Sequence, residues 1–308
     1  MKPPRRITSE NGAWPRRLAH LEQPPEALWL WGSHVPRPGA VAIVGSRRAT
    51  IGGLDVARSL ARDLAEAGVQ VVSGMARGID GAAHRGALDG GGSTVAVLGC
   101  GIDICYPPQH AELRDAILAS GCVITEEPEG TRPWKDNFPK RNRIIAALSM
   151  AIVVVEATPR SGALSTARWG ADLGREVLAV PGSIRSAQSE GTNMLIRDGA
   201  RPLLATADVF DAVPDLAQLC AEGGAGSLHG DRPTGMGIVR DWPSLAPPLR
   251  EILERMGMDA VHPDALGAAL GLGAAVMASR LGALELVGAV RSLPGGLVAR
   301  SLPGATAR

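Results

Sequence analysis

Aromatic side chains are scarce in this chain of 308 residues: two Phe, one Tyr and six Trp. A core built on ring packing is therefore excluded, and a ring in an unexpected place carries weight. An excess of one charge is also lacking. Thirty-two Lys and Arg face 31 Asp and Glu, for a formal net charge of +1. The whole surface has no polyanion- or membrane-seeking signature, so any anion site must be local. Cysteine is limited to Cys100, Cys105, Cys122 and Cys220. None forms a CxxC pair and no His stands at zinc-ligand spacing, which leaves no metal site. Free thiols in a reducing cytoplasm are the plain reading. No apolar run reaches the ~18–20 residues of a bilayer span. The opening MKPPRRITSENG lacks the apolar core of a secretory signal. The expectation is a soluble cytoplasmic protein with no membrane association.

Two nucleotide signatures are missing too. VAIVGSRRATIGG, from Val41, is not GxGxxG, and the next strand-like run ends in Ser73-Gly74 without an acid to hold a ribose. Both argue against NAD. GxxxxGK[ST] is absent, so a P-loop NTPase is excluded. No cofactor is implied.

What is present is regular. Short apolar runs, bounded by Gly, Pro or Ser, lie at 41–44, 69–72, 94–98, 122–125, 151–155 and 177–180. Such runs are typical of strands buried on both faces. Helical patterns lie between them. GLDVARSLARDLAEAG places Leu54, Ala57, Leu60, Ala61 and Leu64 on one face and ends at Gly68, a natural helix stop. Strand and helix alternating at this spacing predict a mostly parallel α/β sheet covered on both sides. Residues 1–40 read as an arm packing on that core, with a short helix and an edge strand. The α/β domain is placed at 41–210 and a flexible Gly- and Pro-containing linker at 211–243. Residues 244–302 hold three short helical stretches and a hairpin around Pro294-Gly295-Gly296, a winged-helix pattern.

Polar, glycine-rich segments follow nearly every strand, and in doubly wound sheets that end binds ligands. Gly45 and Ser46, with the helix after them, offer backbone N–H groups to an anion, as does Gly162 after Ser161. Arg47 suits a phosphate bidentately. WKDNFPKRNRIIAALS, from Trp134, crowds Lys135, Lys140, Arg141 and Arg143 around Phe138 just after Arg132. The plain reading of a charge run is a solvated face. Its place at the ligand end and the scarce ring inside it favour a single-strand nucleic-acid site, with charge for the backbone and a π-face for a base. Arg141 and Arg143 cannot share one helix face. One serves DNA while the other, or Asn142, braces the loop, and the spacing does not say which. Asp80 and His84, four apart, read either as an acid–base pair or as a buried hydrogen-bonded network holding the loop. Without a nucleophile or a second carboxylate at clear spacing, the structural role is favoured. Asp103, Tyr106, Glu126 and Glu156 are candidates for similar bracing.

The blocks VAIVGSR, SGMARGIDGAAHRGAL, GCGIDICYP, FPKRNRIIAALS, VVVEATPRSGALSTARWGADLGREVLAVPG and GTNMLIRDGA resemble, in order, those of the DprA/Smf family of bacterial natural transformation. The resemblance covers about residues 14–205, and the tail resembles the family's winged helix. The helical domain that some members carry ahead of the core has no counterpart in the sequence. The resemblance implies an extended Rossmann-like fold, a homodimer, and sequence-independent binding of single-stranded DNA. It also implies protection of that strand, its handover to the RecA recombinase, and no catalysis. Carried over by motif, the DNA-binding residues are Gly45, Ser46, Arg47, Lys135, Phe138, Lys140, Arg141, Arg143, Ser161 and Gly162. Asp80, His84, Asn142 and Asn193 brace them. Ala163 and His110 depart from the family's usual Ser and Asn. The winged helix carries no Lys after 240 and only balanced charge, so protein contacts or weak duplex binding are expected of it. Two alternatives stand beside this reading. One is a nucleotide-processing phosphoribohydrolase of the same broad group, disfavoured because RSGALSTARWGAD lacks the catalytic Glu. The other is a small-nucleotide sensor.

Overall fold

The apolar runs of the sequence fold into adjacent strands because their side chains have no wet face to offer. In this computed structural model, which describes residues 3–10, 12–222, 245–256, 260–287, 289–293 and 295–300, the larger unit holds nine strands. In chain order they are β1 (Arg5–Ile7), β2 (Leu28–Gly32), β3 (Ala40–Val44), β4 (Gln70–Ser73), β5 (Thr94–Val97), β6 (Cys122–Thr125), β7 (Ala151–Val154), β8 (Glu176–Ala179) and β9 (Arg201–Pro202). Their spatial order is β1-β2-β6-β5-β4-β3-β7-β8-β9. From β6 across to β9 every pairing is parallel. Every residue of β3, β4, β5, β6 and β7 is buried. Val95 and Val97 join one apolar cluster, while Ala96 and Leu98 join another. That alternation is what a strand covered on both faces must show.

The connecting helices are α1 (Ile51–Glu66), α2 (Ile79–Asp89), α3 (Ala111–Ser120), α4 (Asn137–Leu148), α5 (Gly162–Asp172) and α6 (Glu190–Arg197). Leu113, Ile117 and Leu118 of α3 seal the cluster holding Ala96 and Val123. Ile144, Ile145 and Leu148 of α4 seal the one holding Val95 and Ile124.

Two expectations are corrected. The edge strand expected within WPRRLAHLEQPPEALWLWG is instead β2 inside the sheet, antiparallel to β6 on one side and on the other to β1, which takes the edge. Leu28 and Leu30 are buried in the α4-side cluster with Leu18, from a 3-10 turn at Arg16–His20. A wholly apolar inner row is what makes LWLWG a sheet strand. The expected linker from 211 begins instead as helix: α7 (Ala207–Ala212) and α8 (Asp215–Glu222) cross the anticipated boundary. Val209, Ala212 and Leu216 are buried there, so this segment is held by packing. The rest of the linker, 223–243, lies outside the described residues.

The second unit has its own core. Helices α9 (Pro247–Met256), α10 (Pro263–Leu270) and α11 (Ala274–Leu286) pack Ile252, Leu253, Leu266, Met277, Leu281 and Leu284 together. The hairpin of β10 (Val290–Leu293) and β11 (Leu297–Arg300) adds Val290 and Val298. Pro263 opens α10 behind His262, whose Nδ1 accepts the Asp264 N–H at 3.3 Å. Gly271, at φ +65°, ends it in the left-handed conformation that glycine tolerates. Among the described residues no single helix is long and apolar enough to cross a membrane.

Candidate functional site

Strands β3 and β7 are neighbours, yet β3 leads through α1 to β4 while β7 leads through α5 to β8 on the other side. Strand order reverses between them, and a crevice must open at their carboxyl ends. A cleft of about 610 Å³ lies there. Its walls come from Gly45 to Arg48 after β3, Thr158 and Arg160 to Ala163 after β7, and Lys135, Phe138 and Arg141 at the start of α4. Arg47, Arg48, Lys135 and Arg160 are exposed. Asp80 is the only carboxylate among the lining residues, so the cleft is strongly cationic in a chain of nearly zero net charge.

The backbone of the β3 loop is fixed by close packing. A Cβ on Gly45 would stand 2.6 Å from Ile79 Cγ1 and 2.9 Å from the Glu156 carbonyl oxygen, so only glycine fits. The Ser46 carbonyl accepts the Ile79 N–H at 3.2 Å, tying the loop to α2. This corrects one expected anion cup. The Ser46 N–H already donates to the Glu156 carbonyl at 2.7 Å, and α1 begins only at Ile51. Ser46 therefore shapes the loop, and its hydroxyl accepts the Arg48 N–H at 3.1 Å. The other cup keeps a free donor. Ser161 caps α5 by accepting the Ala163 N–H at 3.3 Å. The Gly162 N–H is left without a partner among the described residues.

The cations of the WKDNFPKRNR segment divide into three kinds. Lys135 is exposed and lines the cleft. Arg141 is only 5 % exposed. Its guanidinium donates to the carbonyls of Gly74, at 2.9 Å, and Val97, and to Asn142 Oδ1 at 3.2 Å. Asn142 Nδ2 in turn donates to the Gly162 carbonyl at 3.1 Å. One buried cation thus binds the ends of β4 and β5, and its neighbour binds the start of α5. Arg141 therefore braces the strand ends through Nε and Nη1 while it also lines the cleft. Arg143 donates to Glu126 Oε2 at 2.5 Å, and Lys140 Nζ lies 3.9 Å from Glu126 and 3.6 Å from Glu127. Neither lines the cleft. Two acids after β6 neutralise them on the far face of α4, which the one-dimensional charge run could not reveal.

Phe138 is half-buried and flanked. Arg47 sits over its ring 4.9 Å from the centroid, Arg141 lies at 6.0 Å, and the Tyr106 ring is 5.7 Å away. The bare platform expected from the sequence is therefore a ring paired with a cation.

Asp80 and His84 do not bond each other. Asp80 Oδ2 accepts the Ala76 N–H at 3.3 Å, holding the loop after β4. Burial raises its carboxyl above the ordinary range, with Arg141 and Arg47 pulling it partly back. His84 is fully buried, its Nδ1 2.7 Å from Thr94 Oγ1. The Thr94 hydroxyl proton is committed to the Val71 carbonyl at 2.8 Å. His84 Nδ1 must then carry the donor hydrogen, and Nε2 has no partner among the described residues. Burial, reinforced by His110 and nearby arginines, lowers this imidazole to about 3. A neutral ring with a sealed acceptor holds α2 against β5. His110 Nδ1 meets the Met75 carbonyl at 3.0 Å. Asn193 exchanges two hydrogen bonds with the Gly182 backbone at 3.2 and 3.0 Å, outside the cleft lining. Of the remaining candidate braces, Asp103 Oδ1 accepts the Gly130 N–H at 2.9 Å. Sequence reasoning missed Arg48 and Arg160. The signal was present, since each adjoins a residue already singled out.

The family model of DNA recombination-mediator protein A matches residues 5–214, and that of the DprA winged helix domain matches residues 240–296. A putative DNA processing protein DprA of Mycobacterium tuberculosis is 41% identical over 299 residues, covering 92% of this chain and 74% of its own length. Protein Smf of Escherichia coli is 35% identical over 296 residues, covering 95% and 76%. Among solved structures, DprA from Streptococcus pneumoniae aligns with a TM-score of 0.63 at 36% identity, over 67% of this chain and 73% of that one. DNA processing protein A from Helicobacter pylori, described for its single-stranded DNA binding mode, aligns with a TM-score of 0.61 at 29% identity, over 68% and 96%.

Proposed function

The chain belongs to the DNA recombination-mediator protein A family, and from that premise we propose that its cleft binds single-stranded DNA without regard to sequence. The observation that carries this reading is the set of exposed cations Arg47, Arg48, Lys135 and Arg160 around one half-buried ring at the strand-order reversal. The cations neutralise successive phosphates, and Phe138 with Arg47 gives any base a flat partner. The Gly162 N–H adds a donor for a phosphate oxygen. In the same reading the protein works as a homodimeric recombination mediator. It shields an incoming strand and passes it to the RecA recombinase, and it makes or breaks no bond in the DNA.

The test is a salt titration of oligothymidylate binding. With four cations on phosphates the log–log slope is expected near about −3, from ~0.7 per neutralised phosphate. Replacing Arg47 and Lys135 together by Ala should flatten it by about 1.4. A double variant that binds as tightly as the parent at equal salt would overturn the assignment. So would a preference for a mononucleotide over the oligomer in competition. The mediator step is read separately, as faster RecA filament growth on DNA already covered by a single-strand-binding protein. Molecular mass in solution reads the dimer.

A further inference from the structure

We propose that Trp134 is a second base-stacking position, carrying the strand out of the cleft past Lys135; this rests on the reading that the cleft binds single-stranded DNA. Three of the nine aromatic residues, Tyr106, Trp134 and Phe138, belong to the segments at this end of the sheet. Phe138 lines the cleft, whereas Trp134 does not, although Lys135 beside it does. Trp134 is 62% exposed, and the other described tryptophans, at 14, 29, 31 and 169, are half-buried. A single exposed apolar side chain is ordinary on a protein surface. Three observations set this one apart.

The first is its neighbours. Arg132 and Lys135, both exposed, bracket the indole in sequence. Cation, ring, cation is the alternation that a single strand requires. Asp136 is the one acid between Gly130 and Lys140.

The second is rigidity. The Trp134 N–H donates to the Arg132 carbonyl at 2.9 Å, and the Trp134 carbonyl accepts the Asn137 N–H at 3.2 Å. Upstream, the Thr131 carbonyl accepts the Gly101 N–H at 2.8 Å. The backbone that presents the ring is stitched to the loop after β5 on one side and to α4 on the other, so stacking there costs little ordering.

The third is size. A cleft of about 610 Å³ holds only a short piece of DNA, while single-strand-binding OB folds engage roughly 4–16 nucleotides. A strand gripped at Lys135 has to continue over the rim, where the exposed Trp134 adjoins it in sequence.

The experiment compares the full-length parent with Trp134→Ala and Trp134→Phe, each checked for native circular dichroism. Oligothymidylates of about 4 and about 20 nucleotides serve as probes. Trp134→Ala should weaken the long oligomer by about 5- to 100-fold and leave the short one unchanged, and Trp134→Phe should restore most of the loss. Indole emission of the parent should be quenched by the long oligomer, and this quenching should disappear in Trp134→Ala. Undiminished binding of the long oligomer by Trp134→Ala, with the parent binding normally, overturns the inference and leaves the cleft reading standing. Loss of self-association in that variant with unchanged DNA binding also overturns it, by assigning the ring to a protein contact. Failure of the cleft reading looks different, because the Arg47 and Lys135 double variant would then keep its hold on both lengths.

Discussion

Arg141 keeps a charge where there is almost no water. Burial lowers its guanidinium to about 10, with Asp80 opposing the shift, so it stays protonated at neutral pH. Its donors meet two strand-end carbonyls and a side-chain amide. Removing one partner of a buried charged set leaves the others unpaired and costs about 3–5 kcal/mol. Arg141→Ala should lower unfolding free energy by about that amount in urea titrations. Arg141→Lys should not rescue it, since an ammonium lacks the fork. His84 makes a pH prediction. Its folded value of about 3 lies below the ordinary 6.5, so the unfolded chain binds the extra proton first. This contribution is complete above about pH 6.5 and is lost as pH falls toward 3, at about 1.4 kcal/mol per unit. Asp80, raised by burial, works the other way: the penalty for its ionisation grows as pH rises above the ordinary carboxylate value. Denaturation between pH 7 and 4 should show the acid-side loss, and His84→Gln should flatten it. Both residues were visible in the sequence as a pair four apart. Their separate partners were not, because Thr94 reaches His84 only once β5 is in the sheet, and the Ala76 N–H reaches Asp80 only through the turn into α2.

Helix α4 shows what a linear charge run conceals. Its start carries Phe138 and Arg141 toward the cleft, while Lys140 and Arg143 meet Glu126 and Glu127. Lys140→Ala should therefore leave the salt slope of DNA binding nearly unchanged, whereas Lys135→Ala alone should flatten it by about 0.7. Equal slopes for the two variants would contradict this division. The strands were legible because wholly apolar runs of four or five residues between turn residues have few alternatives. The ligand end was legible because polar segments repeat there after each strand. The inner placement of β2 was less so, because four of the five residues of LWLWG pair against β6, nearly a hundred residues away. Segment 207–222 read as the end of the core and a linker because Pro214 interrupts it and the Gly- and Pro-containing stretch after it carries little pattern. Val209 and Leu216 are nonetheless fully buried in the fold.

At the scale of the molecule, each of the two units has its own core, and the cleft is built from the larger one alone. A chain ending at Glu222 should bind oligothymidylate with the affinity of the full chain in a fluorescence anisotropy titration, while full-chain melting should depart from a single two-state transition. Near-neutral net charge limits non-specific attraction to duplex, since that attraction scales with the phosphates neutralised. Composition alone pointed to a local site for this reason, although it could not say which cations were already paired. The sheet order has a further consequence at its two margins. One margin is β1, three residues that begin Arg5-Arg6, both exposed; the other is β9, two exposed residues of which Pro202 has no N–H to give. Neither offers a row of donors and acceptors long enough to template another strand. Crowded copies of this chain therefore do not run on, edge to edge through this sheet, into a shared, fibre-like one.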